Sequence, residues 1–491
     1  MEWSTVGLLA LLAGVACSTA PAVGGGARQV IDDAATALGG RDRLLTVKSI
    51  ISDGSGTNGN LGQDLTPEAT GQTFAISGYR RVQSFSANAL RIEQTRTPNF
   101  PYFQGQAAQK QIMGVDGDIG FNISPLGIAV RVSEAVTRQR RVDMFHQPAA
   151  IVRAALEPGA EVSNRRSEGQ ETLVDIRTQT GVTLGLAVDS STHLPTRVTS
   201  RSDDPNLGDV ILETAFSDYQ EVNGIKVPTH IVTRTDRWVT SDLKMSQVEV
   251  DGITGDMAAP EDAVNSRPAA TVSEPVIDDQ ELAPGVWLLA GQSHHSVLVE
   301  LADQLLLLEA PQNDARTLAV IRRARELRPN KPLTRVVNTH HHFDHSGGIR
   351  AAVSEGLTVL THKGNAAFFE EMVKRPHTLV PDALARQPKP LRLEPVDELF
   401  EIKDATHPVQ LFHLAGSGHS ATMLAAYLPA EKLLVEADAF TPNSPAPFAA
   451  NLLDEVQRRG FAVDRIVPLH GVVVPFDDLK KAVASAARPT D

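Results

Sequence analysis

Thr339-His340-His341-His342-Phe343-Asp344-His345-Ser346-Gly347-Gly348 follows directly on the apolar run Arg335-Val336-Val337-Asn338 and places His340, His342, Asp344 and His345 within six residues. Imidazole and carboxylate are the ligands zinc takes when no thiolate is at hand, and a tight loop at a strand end turns several of them toward one point. His340 and His342, two apart, are able to face one ion while Asp344 and His345 face a second. Ser346-Gly347-Gly348 is read as the sharp turn into a following helix.

Working outward, Gly418-His419-Ser420, Glu436-Ala437-Asp438 and Leu469-His470-Gly471 are three further metal-capable positions, Asp438 at the end of the strand-like run 432–435. Together with His340-x-His342-x-Asp344-His345 they resemble the HxHxDH signature and the later ligands of the metallo-β-lactamase superfamily, over roughly residues 284–476. The resemblance implies an αββα sandwich with metal ligands on loops at one edge of two packed sheets. It assigns His340, His342 and His419 to a first metal, Asp344, His345 and His470 to a second, and Asp438 as the bridge. Two zinc ions are the implied cofactor, with iron or manganese suited to the same donors. Such a pair lowers the pKa of a shared water, making hydroxide available to attack a carbonyl at neutral pH. Asp344 is the implied catalytic carboxylate, orienting that hydroxide and passing a proton to the leaving group. Ala437 stands where many members have glycine before the aspartate.

The ligand set narrows the reaction. Cys17 is the only cysteine, which excludes β-lactamases with a cysteine ligand, and those without cysteine usually lack the bridging carboxylate. Asp438 points to the branch resembling glyoxalase II thioesterases, lactonases and related esterases, and His342 stands where oxygen-reducing di-iron relatives have glutamate. The expectation is a metal-dependent hydrolase cleaving an ester, thioester, lactone or amide-like bond in a small molecule. β-Lactam cleavage and a mononuclear iron persulfide dioxygenase-like oxidoreductase are the alternatives.

Other histidines have a plainer reading as surface or satisfied core residues: His146, His193, His230, His362, His377, His407 and His413. His341 occupies a position the family leaves variable. His294-His295 precede a strand and are candidates for lining the cleft.

The 491 residues exceed a single core and imply two domains. With 42% hydrophobic and 21% charged residues the chain has the composition of a globular protein, and a net charge of -13 disfavours nucleic acid as a partner. From residue 284 the pattern alternates strands with helices: strands at 286–290, 296–301, 304–309, 334–338 and 357–360, helices at 314–327, 348–354 and 366–374. Residues 27–255 read as a β-rich domain after a helix at 28–38, with strands at 182–188, 210–215, 230–235 and 243–250. Asn223-Gly224 is the best hairpin signal, because Asn-Gly takes the positive φ angles of a type I′ turn. This half resembles the curved antiparallel sheet of lipoprotein-carrier-like domains. The resemblance implies an apolar pocket between sheet and helix if the half binds a lipid or hydrophobic ligand. Pro260, Pro268, Pro275 and Pro284 mark residues 256–283 as a linker, and residues 284–491 form the catalytic domain. Residues 1–26 are read as a signal peptide and spacer, since VGLLALLAGVA at 6–16 is shorter than the ~20 residues of a membrane span. Cys17, directly after Gly14-Val15-Ala16, resembles a lipoprotein cleavage box. Membrane attachment through lipidated Cys17 or simple cleavage are the two outcomes, and the protein is then periplasmic, an outer-membrane lipoprotein, or secreted.

Overall fold

The computed structural model describes residues 25–68, 71–101, 107–270 and 275–486. The apolar run 6–16 and Cys17 lie outside the described residues. No helix among the described residues is long and apolar enough to cross a membrane.

The N-terminal half is built on a 13-stranded sheet whose strand pairs are antiparallel. Neighbours in sequence are neighbours in space, except that the first strand, Ser49–Gly59, pairs with the last, Trp238–Val250, and the consecutive strands Ala129–Arg131 and Glu161–Glu168 form the two opposite edges. The Asn223-Gly224 turn joins Gly208–Val222 to Ile225–Thr235 with both turn residues at positive φ, 49° and 73°, and Val222 opposite Ile225. Helices Gly25–Ala37 and Pro148–Leu156 cover the sheet. Ile31, Leu38, Leu44, Ile151, Val152 and Ile176 expose none of their surface, so the space between helices and sheet is filled by side chains. These side chains form one packed core between helices and sheet.

His146 belongs to this core. Its Nδ1 lies 2.9 Å from Thr214 Oγ1 and its Nε2 2.9 Å from Ser200 Oγ, and burial, aided by the Arg81 charge, lowers its pKa to about 4. A pKa depressed below that of the unfolded chain gives stability that is fully present above pH ~6.5 and lost as pH falls toward the folded value, roughly 3 kcal/mol in all. The wild-type chain is therefore expected to lose more stability between pH 7 and pH 4.5 than His146→Asn, measured as denaturation midpoints; equal losses would contradict it.

The C-terminal half holds two sheets. One runs Asp278–Ala283, Val286–Ala290, Ser296–Glu300, Leu305–Leu308, Leu333–Val337, Thr358–His362, Leu393–Val396, and is parallel from Leu305–Leu308 onward. The other runs Leu399–Ile402, Val409–His413, Leu424–Leu428, Leu433–Glu436, Arg465–Pro468, Val474–Pro475. Strand side chains alternate between faces, and both faces are apolar here. Leu306 and Leu308 meet Leu411, Leu424 and Leu433 between the sheets, while Leu305 and Leu307 face Val320 and Ile321 of the helix Asp314–Leu327. On the second sheet Ala425 and Tyr427 turn the other way, toward the helices Ala449–Arg459 and Phe476–Ala486. Residues 256–283 include a short helix, Glu261–Asn265, packed against Phe121, and the edge strand Asp278–Ala283 of the first sheet.

The two halves dock closely. Arg237 pairs with Glu371 at 2.8 Å, Asp209 accepts the backbone N–H of Thr378 and Leu379, and Arg375 reaches Asp236 and the Leu207 carbonyl. Phe343, from the histidine-rich loop, packs with Leu61, Leu207 and Trp238 of the N-terminal half.

Candidate metal centre

Strand ends place the site. Residues 338–348 leave Leu333–Val337, Glu309 ends Leu305–Leu308, Asp438 follows Leu433–Glu436 and His470 follows Arg465–Pro468. His419 comes from the loop between Val409–His413 and Leu424–Leu428, and His294 from the hairpin between Val286–Ala290 and Ser296–Glu300. Gly347 and Gly348 have φ of -61° and -101°, open to any residue. Glycine is needed there for room instead of for turning: a Cβ would lie 2.1 Å from the Gln312 carbonyl oxygen at Gly347 and 1.8 Å from Thr317 Oγ1 at Gly348.

All seven predicted residues come together. Two clusters able to hold a metal are His340, His342 and His419, and Asp344, His345 and His470 joined by His294. Asp438 stands between them. Its Oδ2 is 3.2 Å from His340 Nε2, 2.8 Å from His345 Nε2 and 3.4 Å from His419 Nε2, and its Oδ1 is 3.2 Å from His470 Nε2. His340, His342 and His345 expose nothing, and His341, also buried, turns away to Thr422 and Ser420.

The electrostatics suit cations. Burial and neighbouring imidazoles push His340 and His342 well below the usual histidine range, so both are neutral and present lone pairs. Burial works against charge on His345 too, but the carboxylates of Asp438, Asp344 and Glu309 outweigh it and draw positive charge to that point. Burial likewise opposes ionisation of Asp438, yet His345, His419 and His470 hold it well below the carboxylate range. His342 Nδ1 is buried without a hydrogen bond. Such a group costs roughly 1–3 kcal/mol when left unpaired, a cost that a coordinated divalent cation removes, so the residues fit the metal the signature implies.

Supporting groups set the histidines' tautomers. His345 Nδ1 donates to Glu309 at 3.1 Å and His470 Nδ1 to the Ser293 carbonyl at 3.1 Å, which leaves each Nε2 for the centre. Glu309, fully buried at φ 78°, also accepts from Thr339 and Asn338. Sequence reasoning missed it, although a charged residue closing the four-leucine strand was a readable signal. Of the two histidines expected to line the cleft, His295 lines the cavity beside the centre, while His294 is buried with Nε2 3.1 Å from Asp344 Oδ2, and fully buried Arg316 donates to its backbone carbonyl. A cavity of about 540 Å³ opens on Asp438, His419 and His470, with Pro445, Ala446, Pro447 and Phe448 as its apolar wall.

Comparison with known proteins found similarity over part of the chain. Solved structures similar to part of the chain include a metallo-beta-lactamase from Pontibacter korlensis, 16% identical with a TM-score of 0.34, covering 43% of this chain and 100% of that one. Another, from Hirschia baltica, is 18% identical with a TM-score of 0.34, covering 44% and 100%. FIM-1 from Pseudomonas aeruginosa, in a mono-zinc form, is 19% identical with a TM-score of 0.34, covering 44% and 99%. No curated protein matches the chain. Residues 290–488 match the family described as the metallo-beta-lactamase superfamily, and the C-terminal half of this chain is a domain of that superfamily.

Proposed function

We propose that this protein is an exported binuclear zinc hydrolase that cleaves an ester, thioester, lactone or amide-like bond in a small molecule. Its catalytic domain is read as an αββα sandwich, in line with the apolar clusters on both faces of its two sheets. The observation that carries the reading is Asp438, whose two oxygens lie within 3.4 Å of histidines from both clusters. Divalent cations held there supply Lewis-acid polarisation of a carbonyl and acidify water. Asp344 takes the proton of the attacking water and returns it to the leaving group. Its oxygens are held by Gln63 Nε2 at 2.7 Å and His294 Nε2 at 3.1 Å, which fix the carboxylate's direction. Burial opposes charge on Asp344, but His345 and the His294 hydrogen bond outweigh it and keep the carboxylate ionised. The apolar wall at residues 445–448 contacts the uncharged part of the substrate. Export rests on the apolar run 6–16 and Cys17.

The test is elemental analysis of the mature protein with a panel of ester, thioester, lactone and β-lactam substrates assayed before and after chelation. The expected result is about two zinc ions per chain and hydrolysis that is lost on chelation and restored by zinc. One iron per chain without hydrolysis would replace this reading with the dioxygenase alternative. Intact mass of the same preparation distinguishes cleavage from lipid attachment at Cys17.

A further inference from the structure

The loop joining Ser49–Gly59 to Thr73–Ser84 leaves the N-terminal sheet and lies on the histidine-rich loop of the other domain. Four consecutive residues each make one hydrogen bond across the boundary. The Gly62 carbonyl accepts from Phe343 N at 3.1 Å, Gln63 Nε2 donates to Asp344 Oδ1 at 2.7 Å, the Asp64 carbonyl accepts from His342 Nε2 at 2.8 Å, and the Leu65 carbonyl accepts from Ala421 N at 2.8 Å. Gly62 has φ +79°, and a Cβ there would lie 2.3 Å from the Phe343 ring, so the loop sits this close only with glycine.

The Asp64 contact has a chemical consequence. A carbonyl only accepts, so His342 Nε2 carries the proton and Nδ1 keeps its lone pair. Nδ1 is buried with no hydrogen bond to any protein group, and His342 clusters with His340 and His419, so Nδ1 is the nitrogen left to meet a metal there. His345 and His470 receive the equivalent orientation from Glu309 and Ser293 of their own domain. His342 receives it from the backbone of the other.

We propose that the N-terminal domain is part of the metal centre: residues 62–65 select the ligating tautomer of His342 and hold Asp344, so that metal affinity depends on domain docking. The proposal rests on the zinc reading above, with Gln63 and the Asp64 carbonyl as positioning groups. Partners of this kind are worth about 10–100-fold in metal affinity.

The experiment is competition with a chromophoric chelator for zinc, on the full chain, comparing wild type with Gly62→Ala, which pushes the loop off Phe343, and Gln63→Ala, which leaves the backbone in place. Both variants should bind zinc about 10–100-fold more weakly at one site. In the metal-free, histidine-labelled chain, ¹⁵N spectra should show His342 protonated at Nε2 in wild type and a mixture of tautomers in Gly62→Ala, read in a variant whose denaturation midpoint and backbone amide spectrum show it folded, because an unfolded imidazole is also a mixture. If Gly62→Ala fails to fold, Gln63→Ala decides. Wild-type affinity in the folded variants would overturn the proposal, whereas a wild-type chain that binds no zinc would overturn the hydrolase reading itself.

Discussion

Asp438→Ala is expected to lower turnover by about a thousand-fold or more and to reduce zinc from about two ions per chain to about one. Metal polarisation of a reacting carbonyl is worth several kcal/mol, and each 1.36 kcal/mol is tenfold in rate. Among the described residues, Asp438 is the one carboxylate whose oxygens approach His340, His345, His419 and His470 together. On the two-zinc proposal, its loss removes both the shared ligand and the negative charge that would offset two cations. Asp438→Asn keeps the shape without the charge and should be almost as inactive. Initial rates on the best panel substrate, with metal content after gel filtration, are the measurements. A variant that keeps both ions and works within tenfold of wild type would remove Asp438 from the bridging role.

The second large effect concerns a residue that touches no substrate. Glu309→Ala should destabilise the metal-free chain by roughly 3–5 kcal/mol, because it breaks a buried charged network and strands its donors. Thr339 N, Thr339 Oγ1, Asn338 Nδ2 and His345 Nδ1 all point at this fully buried carboxylate. It should also weaken zinc at the second site by about 10–100-fold, since His345 is then free to turn its protonated nitrogen inward. Glu309→Gln keeps an acceptor but not the charge and should fall between. Denaturant midpoints and chelator competition read the two effects separately, and an unchanged midpoint in Glu309→Ala would contradict the network's importance.

The candidate metal ligands were legible because coordination chemistry is written in residue type and short spacing. His340-x-His342-x-Asp344-His345 has few other uses, and the strand before it is a plain apolar run. The Asn223-Gly224 hairpin was legible for a similar local reason, since few residue pairs tolerate two positive φ angles. Glu309 was half-legible: its sequence shows a charge closing a buried strand but not what that charge holds. Gln63 and Asp64 carried no signal, because their partners lie 281 and 278 residues away and a backbone carbonyl acts regardless of its side chain.

The sequence by itself therefore singled out the seven candidate ligands that the fold brings together and the class of the C-terminal domain, because each depends on side-chain type and local spacing. Only the tertiary structure decided which nitrogen of each histidine faces inward, that the N-terminal core is filled, and that the N-terminal domain closes one side of the centre. Those depend on hydrogen bonds and packing between segments remote in the chain, and local sequence pattern does not encode that distance.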